Sequence, residues 1–373
     1  MKKIFNFATA LTLLFVAFAF GSFAGNAFGI DGTVTGSIFT FGALITNNPV
    51  GSLASGISLA GVNPVDIVSD LSKYMAIESN QMNFFRTLRN GLELAPYLKS
   101  IGNQRGNYVG VSSSTSELLQ AFQQGWTPKG TTSFVGYNNP IYRLKMDYIL
   151  DNIDTVVDSW LFFLSDETKE RKDWPLTRYI IEMELLPKVI EEMNTAMCKG
   201  VYVAPTAGTA GNAIASMNGI LTIVANEITG GDLTPIVTGS ISASNAVTRF
   251  ETFMDGIDPL VANKGGRILC STTVARFYKK HYRSLFGATN DQLAKNNLRM
   301  DEYNVEIVPV NGMGTSQRLI FAQEGNLIHL YDKLVAPAGF NVQAEKRNVA
   351  IFTDWHCAVG FQSLQGIFVN DQA

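Results

Sequence analysis

The 373-residue sequence predicts an α+β fold, and three observations carry that prediction. A long amphipathic helix spans 173–200, and a polar two-stranded hairpin precedes it within 103–150. After the helix, short strands and helices interleave from 201 to 345, which is typical of a mixed α/β domain. An apolar, strand-like segment at 348–369 closes the chain and needs other strands to pair with.

Composition limits the classes of function. The formal net charge is −3, from 29 Lys and Arg against 32 Asp and Glu, and no dense basic run is present. A protein that grips nucleic acid through its phosphates needs a concentrated basic face. Charged residues make up only 16% of the chain, so much of the surface is predicted to be polar but uncharged, which suits contact between proteins.

The N-terminal segment allows two interpretations. Lys2 and Lys3 precede an apolar run at 4–20, and small residues follow, as in a secretory signal peptide. The run is also close to the length that crosses a bilayer. Residues 25–63 show neither helical nor strand periodicity and predict an extended apolar arm, which a neighbouring subunit or a membrane would have to cover.

Two segments precede the central helix. Residues 65–99 predict two helices that end near Pro96. In the hairpin, 117–124 is a short strand or helix, the Gly- and Pro-punctuated stretch 125–130 is a turn, and 134–149 is partly alternating. Because an isolated two-stranded hairpin is marginal in water, this one is predicted to lie on another chain.

The central helix, here called the spine, has defined end signals and one internal defect. Asp173 is predicted to cap it, Pro175 to lie in its first turn, and Gly200 to end it. Pro187 lies inside, where it removes a backbone hydrogen bond and crowds Met183 at a cost of roughly 3 kcal/mol unless the helix bends. Pro187 is therefore the predicted hinge. The predicted buried stripe has gaps of three and four residues: Leu176, Tyr179, Ile180, Met183, Leu186, Ile190, Met193 and Met197.

The rest of the chain predicts further helices and strands. A helix at 152–164 precedes the spine. The helices predicted after the spine are 213–228, a helix capped by Ser242 or Ser244 that runs to 261, and 272–285 capped by Ser271. The predicted strands are 267–270, 305–310, and a hairpin of 318–323 with 327–331 through Gly325 and Asn326.

Catalytic and metal motifs are missing from the sequence. No nucleophile elbow, phosphate loop or CxxC pair occurs, and no His is spaced from another His or Cys as on one helix face. The sequence therefore predicts no catalytic, cofactor-binding or metal residues, no cofactor, and no enzyme. The residues taken as structural are His281, His329, His356, Cys198, Cys270 and Cys357. One basic cluster, Lys279 to Arg283, is interpreted as a solvated helix face that could touch an acidic neighbour.

The ordered set of elements resembles the major capsid proteins of tailed bacteriophages, which have the Hong Kong 97-like fold. ELLQAFQQGWTPKG and NPIYRLKMDYIL are similar to the extended loop, and DWPLTRYIIEMELLPKVIEEMNTAMCKGV is similar to the spine helix of the peripheral domain. RILCSTTVARFYKKHYR resembles the axial domain, and FTDWHCAVGFQSLQGIFVND resembles the closing strands. The resemblance covers 117–371 and depends on the order of these stretches, since no single one is diagnostic.

The resemblance implies an α+β architecture with an N-terminal arm, an extended β-hairpin loop, a long spine helix in a peripheral domain and a mixed α/β axial domain. The implied boundaries are 1–111 for the apolar arm and helices, 112–150 for the extended loop, 151–204 for the peripheral domain with the spine, 205–345 for the axial domain, and 346–373 for return strands of the peripheral domain.

The resemblance also implies a structural subunit that self-assembles into pentamers and hexamers of an icosahedral shell. The shell would enclose double-stranded DNA without binding it specifically, with portal, scaffold or decoration proteins as further partners. The subunit would assemble in the host cytoplasm and reside in the virion capsid. The residues expected to make inter-subunit contact on the extended loop are Trp126, Pro128, Lys129 and Phe134.

Some members of this family crosslink a Lys of the extended loop to an Asn near the C-terminus. Lys129 and Asn370 occupy comparable regions, but no neighbouring residues signal isopeptide chemistry, and the activity is not expected here.

Two alternatives stay open: an exported surface or envelope protein with an N-terminal signal peptide, and an encapsulin-type compartment shell. In the capsid interpretation, 1–45 is an apolar arm buried against neighbouring subunits or lining the shell interior.

Overall fold

The computed structural model describes residues 64–151, 153–165, 169, 173–286, 298–300, 303, 305–332, 340–345 and 348–372. The chain divides into two units, Met1–Val62 and Asn63–Ala373, and every described residue belongs to the second. The signal-like run and the apolar arm at 25–63 lie outside the described residues. Within the described part of the chain, no helix combines the length and apolar character needed to cross a membrane.

The helices agree with most of the predicted positions. The two segments expected within 65–99 are α1 and α2, the helix expected at 152–164 is α3, and the spine is α4, a π-helical segment and α5. The bounds are α1 Pro64–Ala76, α2 Glu78–Asn90, α3 Ile153–Phe163, α4 Leu176–Tyr179, π-helix Ile180–Leu185, α5 Leu186–Lys199, α6 Ile220–Gly230, α7 Ala246–Asp255, α8 Pro259–Ala262 and α9 Thr272–Phe286.

In the described part of the chain, the strands form two five-stranded sheets and one separate hairpin. Their bounds are β1 Lys99–Ile101, β2 Tyr108–Thr115, β3 Thr132–Asn139, β4 Tyr142–Leu150, β5 Arg267–Ser271, β6 Arg299–Met300, β7 Val305–Val310, β8 Ile320–Ala322, β9 Leu327–Tyr331, β10 Phe340–Glu345, β11 Asn348–Phe361 and β12 Ile367–Val369.

The first sheet is built around β11, the long apolar strand predicted near the C-terminus. The strand order is β1-β9-β11-β10, and β4 also pairs with β11. Val349 pairs with Leu150 and Cys357 with Tyr142 along β4, while Phe361 pairs with Leu327 of β9. Helix α1 packs on β10 and β11 and covers one part of this sheet.

The second sheet has the order β12-β8-β5-β7-β6, in which β5 and β7 run parallel. Helices α7 and α9 pack with it around one apolar core. Phe250, Phe253, Ile268, Val274 and Phe321 are fully buried there. Burial of a side chain of this size stabilises a fold by about 1.5–3 kcal/mol. These five side chains therefore contribute strongly to the stability of the second sheet and its two helices.

The spine differs from a regular α-helix between Ile180 and Leu185, where it is π-helical. The Leu186 N–H donates to the Ile181 carbonyl, five residues back. Pro187 follows in the first turn of α5, a position that tolerates a residue without an N–H. The wider π-helical turn thus accommodates the proline, as π-helical segments commonly do where a helix ladder is interrupted.

The π-helical segment also changes which side chains the spine buries. A turn with one extra residue shifts the buried face by one position. Met183, predicted to be buried, is 42% exposed, whereas Ile181 and Leu185 are buried. The prediction for Met183 was wrong because it assumed a constant period of 3.6 residues through a segment with a longer period.

The helix-end predictions had mixed outcomes. Gly200 ends the spine as predicted, and the Ser271 hydroxyl accepts a hydrogen bond from the Val274 N–H at 3.3 Å, which confirms that cap. At the start of the spine, Pro175 is the cap residue and Asp173 does not cap. Helix α7 begins after Asn245 rather than after a Ser cap.

Two further predictions in the second half of the chain were wrong. Gly256 ends α7, so the helix predicted to run to 261 is split into α7 and α8. The segments 318–323 and 327–331 do not form a hairpin, because β8 pairs in the second sheet and β9 in the first. The last strand, β12, likewise pairs with β8, so the return segment 346–373 contributes to both sheets.

Candidate assembly interface

The two-stranded hairpin stands apart from both sheets. Strands β2 and β3 are antiparallel, from the pair Tyr108 and Asn139 at the base to the pair Thr115 and Thr132 near the tip. Residues 116–131 join them without helix or strand, so the strand or helix predicted at 117–124 was wrong. The next strand, β4, pairs with β11, and the hairpin therefore ends at Asn139 instead of continuing to 150.

One face of the hairpin carries an apolar stripe. Side chains alternate between the faces of a strand, so the cross-strand pairs of Val109, Val111 and Ser113 share one face. That face includes Phe134, the partner of Ser113, which is 72% exposed. Val109 and Val111 are also exposed. Because the ribbon has no second layer, these side chains have no cover from their own strands.

The loop at the tip of the hairpin also exposes large apolar side chains. Phe122 is 95% exposed and Trp126 is 92% exposed, and Leu118 and Leu119 are exposed beside them. Leu118, Leu119 and Phe122 were not among the predicted contact residues. Their signal was present in ELLQAFQQGW, where apolar residues stand in a polar run that forms no core.

Polar contacts hold the loop while its apolar side chains point to solvent. The Lys129 ammonium donates to the Leu119 carbonyl at 3.0 Å and pairs with the Glu117 carboxylate at 2.9 Å. The Gln120 amide donates to the Thr127 carbonyl at 2.8 Å across the loop. An exposed ion pair is worth only about 0–1 kcal/mol. These bonds therefore shape the tip without burying it.

The base of the hairpin is fixed to the rest of the fold by buried hydrogen bonds. The buried Asn139 side chain donates to the Phe361 carbonyl at 3.0 Å and accepts from the Phe361 N–H at 3.1 Å. The Tyr137 hydroxyl donates to Glu227 of α6 at 3.0 Å. Burial, and then the Glu227 carboxylate, raise the pKa of Tyr137. The phenol therefore stays protonated and keeps donating this bond.

Two glycines allow the close approach at this base. A Cβ on Gly110 would lie 2.1 Å from the Gln362 carbonyl oxygen, and a Cβ on Gly360 would lie 1.9 Å from the Asn139 side-chain oxygen. Both contacts are far shorter than van der Waals distance, so only glycine fits without a shift of the chain. The Tyr108 hydroxyl adds a bond to the Gln362 side chain at 3.0 Å. The hairpin thus has an anchored base and an uncovered tip.

The predicted site residues, four contact residues and one hinge, lie in two elements of the fold. Trp126, Pro128 and Lys129 lie together in the exposed tip loop, and Phe134 lies on β3 next to it. Pro187 is exposed on the spine, in a different element. The four predicted contact residues therefore all lie in the hairpin, and both their contact role and the hinge assigned to Pro187 stay predictions.

One His–Cys contact was not foreseen from the sequence. The His329 Nε2 lies 3.3 Å from the Cys357 sulfur, because β9 and β11 are neighbours. Burial, and then the nearby Arg89, lower the pKa of His329 to about 4, and burial raises the pKa of Cys357 to about 12. Both groups are neutral near pH 7, so this pair is not a thiolate nucleophile. No group of three possible metal ligands occurs among the described residues.

Asn370 and Lys129 already have other partners. The Asn370 amide donates to the Gln317 carbonyl at 3.0 Å, and its side-chain oxygen accepts from the Leu319 N–H at 2.8 Å. Asn370 is fully buried, and a crosslink would require these bonds to break. Its role here is to hold the end of the chain on the second sheet.

Comparisons with known proteins find similarity in the fold and none in the sequence families. No protein-family model matches the sequence, and no curated protein matches it. The fold is similar to a chain of the satellite phage P4 procapsid that includes the size determination (Sid) protein, at TM-score 0.53 and 11% identity. That match covers 90% of this chain and 96% of the other.

Two further similar structures have lower scores. A cyanophage A-1(L) capsid chain matches at TM-score 0.47 and 12% identity, over 76% of this chain and 92% of its own. The SrpI encapsulin of Synechococcus elongatus PCC 7942 matches at TM-score 0.41 and 10% identity, over 74% and 86%. The procapsid match covers nearly the whole of both chains, and the hairpin, the interrupted spine and the two sheets follow the order expected for that architecture. The chain therefore has the Hong Kong 97-like fold of tailed-bacteriophage major capsid proteins.

Proposed function

We propose that this protein is a major capsid protein, a structural subunit that assembles with copies of itself into a closed icosahedral shell around double-stranded DNA. The observation that carries the proposal is the hairpin, which has a base fixed by buried hydrogen bonds and a tip with exposed Phe122 and Trp126. A surface of this kind needs a partner to cover it.

Burial of the exposed apolar side chains of the hairpin favours association. Full burial of a large apolar side chain contributes about 1.5–3 kcal/mol. Leu119, Phe122, Trp126 and Phe134 are all exposed in the single chain. Burying these four against a neighbour would offset much of the entropy lost on association, which is about 4–15 kcal/mol. Repeated around a ring, such contacts stabilise pentamers and hexamers.

Electrostatics supports enclosure of DNA without specific binding. The chain has net charge −3, and the one basic cluster noted in its sequence, Lys279 to Arg283, is confined to a single helix. A container that repels or ignores the phosphates releases its genome more readily than one that binds them. We place the subunit in the virion capsid after assembly in the host cytoplasm, with portal, scaffold or decoration proteins as further partners. No catalytic role is assigned to it.

The hairpin contact is tested by removing its aromatic side chains. Because Trp126 and Phe134 are exposed in the single chain, the double variant Trp126→Ser/Phe134→Ser should fold with stability within about 0.5 kcal/mol of the parent. We expect it to lose closed particles, as measured by electron microscopy and light scattering of purified protein. Phe162→Ser, which removes an exposed aromatic on α3, is the matched control and should still give shells.

Two outcomes would count against the proposal. Shells of unchanged yield from the double variant would exclude the hairpin as an essential contact. Particles that contain only protein cargo and no nuclease-protected DNA, after expression in an infected host, would instead identify an encapsulin-type compartment.

A further inference from the structure

Helix α9 has a solvent face with charge of one sign. Arg276, Lys280 and Arg283 are exposed at positions i, i+4 and i+7, and Lys279 is half-buried beside them. The helix sequence, TTVARFYKKHYRSLF, contains no Asp or Glu. None of the ion pairs among the described residues uses these four side chains. This basic stripe is the only part of the described chain's sequence that concentrates four cations within eight residues.

The neighbouring helix carries the opposite charge. Glu251 and Asp255 lie at i and i+4 on α7, and Asp258 follows, accepting the Leu260 N–H at 2.8 Å as the cap of α8. Asp255 and Asp258 are exposed and Glu251 is half-buried. These three residues form the acidic stripe. Glu251 and Asp255 match the i, i+4 spacing of Arg276 and Lys280, whereas Asp258 lies beyond Gly256, where α7 ends.

The two stripes belong to one packed unit but do not neutralise each other. Helices α7 and α9 pack together, and the Val247 N–H donates to the His281 Nδ1 at 3.0 Å between them. No ion pair within 4.0 Å joins the basic stripe to the acidic stripe in the described chain. The Tyr303 hydroxyl donates a hydrogen bond to the Asp255 carboxylate, and this bond leaves the negative charge uncancelled. Neither stripe therefore neutralises the charge of the other.

We propose that the basic stripe of one copy binds the acidic stripe of the next copy around the ring of a capsomer. This inference rests on the proposed function and names the chemistry of one of its contacts. A contact between two different faces of identical subunits is heterologous, and repeated rotation closes it into a ring. Opposite charges fix the partner and the register of such a contact, because a mismatched pairing places like charges together.

A second copy fits the basic stripe better than DNA does. The chain itself supplies two carboxylates, Glu251 and Asp255, at the same helical spacing as Arg276 and Lys280, so every subunit in a ring has both halves of the contact. The acidic stripe lies on the helix packed beside α9, and its carboxylates repel phosphates that approach. The exposed Leu260 next to Asp258 adds apolar area that a protein partner covers and a phosphate backbone does not.

Charge reversal tests the contact. The variant Arg276→Glu/Lys280→Glu places carboxylates at these two positions of the basic stripe, opposite Glu251 and Asp255. The variant Glu251→Lys/Asp255→Lys instead places cations at these two positions of the acidic stripe, opposite Arg276 and Lys280. We expect each variant alone to remain a folded, unassembled subunit, with at least a tenfold loss of particles by light scattering. The chain that carries all four substitutions exchanges the charges at these two pairs of positions and should recover particles. Failure of this exchanged chain to assemble, while it is folded by circular dichroism, would overturn the inference.

Mixing the two reversed variants gives a sharper test. Head-to-tail contacts are complementary only when the two variants alternate, and alternation closes only in a ring with an even number of subunits. The equimolar mixture should therefore form hexamers or hexamer-based tubes and no pentamers, as seen by native mass spectrometry and electron microscopy. Closed shells with pentamers from the mixture would contradict the proposed contact.

The control is Lys73→Glu/Lys188→Glu, which makes the same change in net charge on exposed lysines of α1 and the spine. It should assemble like the parent.

DNA as the true occupant is tested by titrating the parent subunit with a duplex oligonucleotide at several salt concentrations. Salt-dependent binding lost in Arg276→Glu/Lys280→Glu, with assembly unchanged, would overturn the inference while leaving the capsid function intact.

Discussion

At the scale of single residues, burial decides which titratable groups carry charge. His329 is 4% exposed in the first sheet, where it contacts the Cys357 sulfur and lies near Arg89 and Tyr331. An imidazolium in this position would be both desolvated and repelled by the guanidinium. The neutral His329 is therefore a packing residue, and its burial lowers the stability of the fold at acidic pH.

The pH dependence of stability follows from this burial. The pKa of His329 falls from 6.5 to about 4 on folding, so below pH 6.5 the unfolded chain binds a proton that the folded chain does not. Stability should therefore fall from about pH 6.5 to pH 4, by roughly 3 kcal/mol from this group. Urea unfolding of the unassembled chain across this range measures the slope.

The variant His329→Gln should flatten that slope, whatever its effect on absolute stability. Cys357→Ala removes the sulfur contact but keeps the imidazole, so it should retain the slope and serves as the control. An unchanged slope in His329→Gln would show that other groups account for the acid sensitivity.

Residues that act on their near neighbours could be predicted from the sequence. The Ser271 cap depends on an N–H three residues away, and its pattern is visible in the sequence. The Asn139–Phe361 bonds join residues 222 positions apart, so no local pattern announces them. The same limit hid the His329–Cys357 contact, which depends on strand order.

At the scale of elements, the spine shows that a proline is accompanied by a change in the helix on its N-terminal side. The π-helical segment Ile180–Leu185 places Pro187 in the first turn of α5, where its missing N–H costs little. The sequence pattern correctly predicted the extent of the helix and a break in its regularity. It misplaced Met183 because periodicity alone does not reveal an inserted π-helical turn.

Replacing the proline measures how fully the π-helical segment accommodates it. From the sequence alone, Pro187→Ala is predicted to straighten the helix and stabilise the isolated chain. Because the proline already lies in a first turn, we expect the gain to be within about 1 kcal/mol by urea unfolding, well short of the ~3 kcal/mol of an interior proline. A gain near 3 kcal/mol would show that the strain persists.

The same variant addresses the predicted hinge. If Pro187 helps the spine adapt to different positions in the shell, Pro187→Ala should lower the yield of closed particles or change their diameter. Identical particles at unchanged yield would leave Pro187 as a local accommodation with no part in assembly.

At the scale of the whole molecule, the sequence predicted the architecture better than the pairing of its strands. Hydrophobic periods placed α1, α2, the spine, β5, β7 and β11 because each buries a regular stripe. They did not show that β8 and β9, which the turn at Gly325 connects, belong to different sheets. Both strands are apolar, so either sheet would bury them. Sheet membership is set by contacts between distant segments.

The candidate interface was predictable to a similar degree. Its polar hairpin indicated a partner chain, and the Gly- and Pro-rich turn placed Trp126 at the tip. The anchored base was not foreseen, because Gly110 and Asn139 meet 361–362 only in the folded chain. That combination fixes the base of the hairpin in its own subunit and leaves the tip exposed for contact with a neighbour.

The central claim is that this protein is a subunit of a closed shell and that its hairpin is covered only by neighbouring copies. Electron microscopy of the purified protein, at a concentration where subunits associate, tests it most directly. We expect closed shells of uniform diameter, with hairpin amides at 112–135 that exchange quickly in the subunit and are protected in the shell. A stable monomer whose hairpin amides are already protected from hydrogen exchange would contradict the account.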